Sequence, residues 1–166
     1  LFNIILSQQI GFGFYQDANI NIYDFIHCYI NIPDTNDRDS LFQAEARKCK
    51  NILDIIKTNN KERHFCIFDE IFSGTNPDDA VNSGLNYLNY INKIENVDYL
   101  LTTHNYKLCK KLETNNKNIK NLKMKVKGKD KSFNFTYKIT NGINKINGGS
   151  KILKDLDYPD EIINII

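Results

Sequence analysis

HFCIFDEIFSGTNPDDA, residues 64–80, is the stretch that decides how the chain is read. It opens with an apolar run, Phe65-Cys66-Ile67-Phe68, and closes that run with two adjacent carboxylates, Asp69 and Glu70. A turn follows at Ser73-Gly74-Thr75-Asn76-Pro77, then a helix start at Asp78-Asp79. A short apolar run bounded by turn signals predicts a strand buried on both faces. Two acids at the end of such a strand are unfavourable unless water, a metal or a substrate meets them. Ligands of open α/β sheets bind at the carboxyl ends of the strands, so chemistry is expected here first.

Working outward, the segment upstream reads as a helix. Ser40 and Gln43 form a capping-box pattern, and Phe42, Cys49, Ile52, Leu53 and Ile56 recur at helical spacing. Downstream, residues 79–92 predict a second helix with Val81, Leu85, Leu88 and Ile91 on one face. Asp98 to Thr102 predicts a second short buried strand, ending at Thr103-His104, and a further helix runs through Leu108 and Leu112. Alternating strands and helices of this kind indicate an α/β fold with a mostly parallel sheet flanked by helices.

The ends have a different texture. Leu1 to Ile10 reads as the tail of an apolar helix stopped by Gly11 and Gly13, with Gly13 expected to take the positive φ. Residues 18–30 read as one or two strands with Ile20, Ile22, Phe25 and Ile26 inward, and residues 31–39 as a polar loop. Asn121 to Val126 and Ser132 to Ile139 predict an antiparallel β-hairpin with Gly128 in its link and Phe133, Phe135 and Tyr137 facing a core. Two short helices close the chain, at residues 150–156 and 159–166, with Pro159 in the first turn of the last. No linker divides the 166 residues.

Composition narrows the function classes. A hydrophobic share of 41% with a net charge of +2 is that of an ordinary globular domain, not of a dedicated nucleic-acid binder. No run approaches a membrane span. Cys28, Cys49, Cys66 and Cys109 form no CxxC pair and are expected to be buried thiols of an intracellular protein. Lys123, Lys125, Lys127, Lys129 and Lys131 alternate along the hairpin and read best as the solvated face of an edge strand. The abrupt start, without an initiator Met, is expected of a fragment.

Asp69-Glu70 fits a nucleotide-hydrolysis site. Asp69 is placed to hold Mg²⁺ through water, and Glu70 to orient or deprotonate an attacking water. His104, after the neighbouring strand, can donate to a terminal phosphate. Ser40, at a helix N-terminus, can serve either as an ordinary cap or as a phosphate contact. No GxxxxGK[ST] phosphate loop occurs in the chain.

FCIFDEIFSGTNPDDA followed by LLTTHNYKL resembles the C-terminal ATPase domain of the MutS mismatch-repair family. Ser40-Leu41-Phe42-Gln43-Ala44-Glu45 is similar to that family's Ser-Thr-Phe-x-x-Glu segment. The likeness extends from Gln9-Ile10-Gly11 to Tyr158-Pro159-Asp160-Glu161-Ile162-Ile163. The resemblance implies a P-loop NTPase fold of ABC type and an ATP and Mg²⁺ site. In it Asp69 is the metal-holding acid, Glu70 and His104 are catalytic, and Ser40 completes the ATP site of an opposite subunit. It implies that residues 76–79 lie in a loop crossing a dimer interface. It also implies a second MutS-like subunit and DNA as partners. Leu41, Asn76-Pro77 and Asn105 depart from the family's Thr, Ser-Thr and Tyr. Two other readings stay open: a MutS-like scaffold without ATPase activity, and another ABC-type ATPase of DNA maintenance. Against the latter, Asp39-Ser40-Leu41 lacks the Ser-Gly-Gly start of such signature helices.

Overall fold

β2 (His64–Asp69) is the centre of the fold, with Cys66 and Phe68 wholly buried and Ile67 nearly so. In the computed structural model, which describes residues 1–30, 40–129, 132–144 and 148–163, β2 lies between β1 (Phe25–Tyr29) and β3 (Val97–Thr102). Both pairings are parallel: Phe25 stands opposite His64, and Asp69 opposite Thr102. The described residues fall into two compact units, Leu1–Leu108 and Cys109–Ile166, and the division lies inside a helix, α4 (Tyr106–Asn115).

In the first unit the strands are joined by α2 (Leu41–Thr58) and α3 (Pro77–Ile91), giving two consecutive β-α-β steps. α2 begins where the capping box places it. The Ser40 hydroxyl accepts the Gln43 N–H, and the Gln43 side chain accepts the Ser40 N–H. Its buried stripe is Glu45, Cys49, Ile52 and Ile56. α3 starts two residues earlier than the sequence suggests. Asn76 caps it by accepting the Asp79 N–H at 3.0 Å, and Pro77 fills the first helical position. Residues 77–79 are thus the first turn of a helix, not loop. The Tyr87 hydroxyl donates to the Cys49 carbonyl at 3.0 Å and ties α3 to α2. Its ring meets Phe68 edge-on at 5.7 Å. The core is completed by Tyr29, Val81, Leu88, Ile91 and Leu108.

Several expectations are corrected. β3 is not buried on both faces: as an outer strand of the three, it alternates half-buried and exposed residues, and Leu100 is exposed. Residues 18–24 form no strand, and Ile22 faces solvent. α1 (Phe2–Ile10) stops at Gly11 as expected, but the positive φ, 76°, falls on Gly11 and not on Gly13. The Gln8 side-chain amide then holds Tyr23, accepting its N–H and donating to its carbonyl. Cys28 is exposed and Cys109 half-buried, while burial pushes the Cys49 and Cys66 thiols up to about 12. No described helix is long and apolar enough to cross a membrane.

The second unit holds the antiparallel pair β4 (Leu122–Lys129) and β5 (Ser132–Asn141), followed by α5 (Gly148–Asp155) and α6 (Asp160–Ile163). Gly128 lies within β4, not in the link, and Pro159 precedes α6, its carbonyl accepting the Ile162 and Ile163 N–H groups. The register slips between Met124 and Val126, so that Thr136, Tyr137 and Lys138 together stand opposite Lys125. This bulge breaks the period-two alternation on which the core-face reading rested. Tyr137 takes φ 55° and is exposed, as is Ile139. Lys123, Lys125 and Lys127 are exposed, as a solvated face requires. The side chains of Phe133, Phe135 and Lys129, together with Lys131, the loop 31–39 and residues 164–166, lie outside the described residues.

Candidate functional site

The carboxyl edge of the parallel sheet brings Asp69, Glu70 and His104 together. Asp69 ends β2 opposite Thr102, and the Thr102 hydroxyl donates to its Oδ1. The Glu70 N–H continues the ladder one residue further, donating to the Thr102 carbonyl at 3.0 Å. The chain then turns sharply, because Glu70 and Phe72 both adopt left-handed φ values, 51° and 56°. Non-glycine residues in that region cost about 1–3 kcal/mol each and persist only where surrounding contacts hold them.

Those contacts are specific. Glu70 Oε1 accepts the His104 backbone N–H at 3.1 Å and lies 2.9 Å from His104 Nδ1. Its Oε2 accepts the Thr103 hydroxyl at 3.2 Å. Because a carboxylate only accepts, Nδ1 carries the proton, and in the neutral imidazole Nε2 is an acceptor. The His104 ring is largely exposed, so it is held by this pair and not by packing. Asn105 secures the same corner: its side chain accepts the Leu108 N–H, and its own N–H donates to Thr103 Oγ1. Glu70, Ser73, Thr75, Ala80, Thr103 and His104 line one open cleft beside these groups. Neither Ser40 nor Asp69 is among the residues lining it; Asp69 stands beside it at the end of β2, bonded to Thr102.

The turn beyond Glu70 is held by two buried side chains. The Tyr29 hydroxyl oxygen accepts the Phe72 N–H at 3.2 Å. Glu45, only 2% exposed, accepts the Ser73 N–H and hydroxyl on Oε1 and the Gly74 N–H on Oε2, at 2.9–3.0 Å. Hydrogen bonds to a charged group contribute about 1.5–3 kcal/mol each, which several together need in order to offset the desolvation of a buried carboxylate. Burial and the nearby Glu45 charge raise the Tyr29 hydroxyl far above the ordinary range, so it stays protonated. Gly74 sits where a Cβ would meet Leu41 Cγ at 2.6 Å, so the departure at Leu41 is packed directly on this turn.

The sequence points to Asp69, Glu70, His104 and Ser40, and to Glu45 only as the last residue of the Ser40–Glu45 segment; it gives no contact for Glu45 and does not mark Thr102, Thr103 or Tyr29 as partners. A signal for Glu45 was present: it falls on the stripe Glu45-Cys49-Ile52-Ile56, an acid on an otherwise apolar helix face. Among the described residues no cluster of three or more His, Cys, Asp or Glu could hold a metal ion by itself.

Comparison with known proteins gives a consistent result. The family model of MutS domain V matches residues 3–165. The chain is 29% identical over 160 residues to the DNA mismatch repair protein MutS of Finegoldia magna, covering 96% of this chain and 18% of that protein. It is 30% identical over 165 residues to the protein of the same name from Clostridium botulinum, covering 97% of this chain and 17% of that protein. The chain therefore spans under one fifth of the length of these relatives. With residues 3–165 of its 166 matched by that one family model, the chain belongs to the MutS family, in its domain V.

Proposed function

We propose that the chain is part of a DNA mismatch-repair protein of MutS type, with a P-loop NTPase fold, and contributes to an ATP-hydrolysing site within a dimer. The observation that carries this is the hydrogen-bonded group Asp69–Thr102 and Glu70–Thr103–His104 at the carboxyl edge of adjacent parallel strands. The relatives' name, DNA mismatch repair protein, supports the wider setting.

The donor set fits Mg²⁺ bound with a nucleotide. That ion takes one or two carboxylates and fills its remaining positions with water and phosphate oxygens, and Asp69 and Glu70 are two acids adjacent in sequence, with no closed cage among the described residues. Asp69 is the residue that would hold it through water. Bound there, Mg²⁺ would neutralise charge on the phosphate oxygens. Glu70 orients the attacking water and takes its proton as the bond to the terminal phosphorus forms and the bond to the ADP oxygen breaks. His104 fixes one Glu70 oxygen through Nδ1–H and, when protonated at Nε2, can donate to the terminal phosphate. Ser40, exposed at the start of α2, is the residue that would contact the nucleotide of an opposite subunit.

Glu70→Gln in the intact protein tests the reading. ATP binding should persist while steady-state hydrolysis falls about 100-fold or more, the scale of a lost general base. An unchanged rate would overturn the role of Glu70.

A further inference from the structure

Glu45 has no part in the reaction as described, yet it is among the most buried charged groups of the first unit. It projects from the second turn of α2, five residues after Ser40. Its two oxygens accept the Ser73 N–H, the Ser73 hydroxyl and the Gly74 N–H. With the Phe72 N–H accepted by Tyr29, three successive N–H groups after Glu70 are held by side chains. An apolar residue could fill the same space without the desolvation of a charge. A carboxylate supplies what packing cannot: two acceptors that set the direction of consecutive backbone amides. That direction fixes the left-handed turn at Glu70 and Phe72, and so where the Glu70 carboxylate sits relative to His104.

We propose that Glu45 is a positioning residue for hydrolysis, tying the start of α2 to the catalytic turn and holding Glu70 against His104. This role presupposes Glu70 as the carboxylate that activates water. Leu41 and Phe42 strengthen the tie, since both pack on the same turn: Leu41 against Gly74, and the Phe42 ring 5.7 Å from that of Phe72. A displacement of the α2 start is therefore transmitted to Glu70 through Glu45.

The test is Glu45→Gln in the intact protein, with equilibrium binding of a non-hydrolysable ATP analogue and the single-turnover hydrolysis rate per bound nucleotide as separate readouts. The amide keeps the shape but loses one acceptor and aims an NH₂ group at N–H donors. The rate per bound nucleotide should fall at least tenfold while analogue affinity stays within threefold. A rate within twofold of the parent, or a rate and an affinity that fall together, would make Glu45 a residue of the fold alone. Should that variant not fold, Tyr29→Phe removes the other clamp at almost unchanged volume. It should lower the same rate at least threefold, and an unchanged rate would equally overturn the role. If Glu70→Gln abolishes hydrolysis while Glu45→Gln does not, only the positioning role fails. If Glu70→Gln leaves hydrolysis intact, the site itself has been misassigned.

Discussion

At the scale of single residues, the turn after Glu70 is decided by one close approach. Gly74 has Leu41 Cγ 2.6 Å and the Phe42 amide nitrogen 2.9 Å from where a Cβ would stand. The Leu41 side chain can shift, but the backbone nitrogen cannot without moving the first turn of α2. Gly74→Ala is therefore expected to destabilise the protein by about 1–3 kcal/mol, as overpacking does elsewhere. Chemical denaturation would show this as a lower midpoint at unchanged slope. A midpoint equal to the parent's would mean that the two segments separate freely.

At the scale of elements, α2 joins the two halves of the proposed chemistry. Its N-cap, Ser40, is exposed, and the capping box satisfies the first amide groups. Ser40→Ala removes one side of that box and should cost about 1 kcal/mol of stability. Were capping its whole role, Ser40→Asp would restore both stability and ATP turnover, because Asp caps as well as Ser. A contact to the nucleotide of an opposite subunit predicts instead that Ser40→Asp restores stability but not turnover, since the carboxylate repels phosphate. Thermal unfolding and steady-state hydrolysis of the two variants, measured side by side, separate these roles.

At the scale of the whole molecule, acid stability should report the buried histidine pair. His27 and His64 lie side by side on β1 and β2, with His27 Nε2 3.0 Å from His64 Nδ1 and His64 Nε2 2.9 Å from the Asn59 carbonyl. The carbonyl can only accept, so His64 carries its proton on Nε2 and His27 donates to its Nδ1. Burial, and then the neighbouring His64 and Lys48, hold His27 down at about 4. The unfolded chain then binds a proton more readily than the folded one. The stability that follows is fully present above about pH 6.5 and is lost as pH falls towards 4, by about 3 kcal/mol for a shift of this size. Urea titrations across that range should show the loss, and His27→Gln should flatten it. Equal acid slopes in both proteins would remove His27 as the cause.

Sequence alone was enough to locate the strand around Phe65–Phe68, the capping box of α2, the parallel β-α-β order and the place of Asp69, Glu70 and His104 at or just beyond strand ends. These features are written in local periodicity and in turn and cap chemistry, which act over a few residues. What only the tertiary structure decided depends on neighbours distant in the chain. The outer place of β3 exposes Leu100, the bulge in β5 turns Tyr137 outward, and Gly11 rather than Gly13 takes the positive φ after α1. The partners of the acids belong to the same class: Thr102 and Thr103 reach Asp69 and Glu70 across 33 residues of chain, and Glu45 reaches Ser73 across 28. Hydrogen bonds between such distant residues are set by which strand lies beside which, and by what the left-handed turn after Glu70 presents to α2.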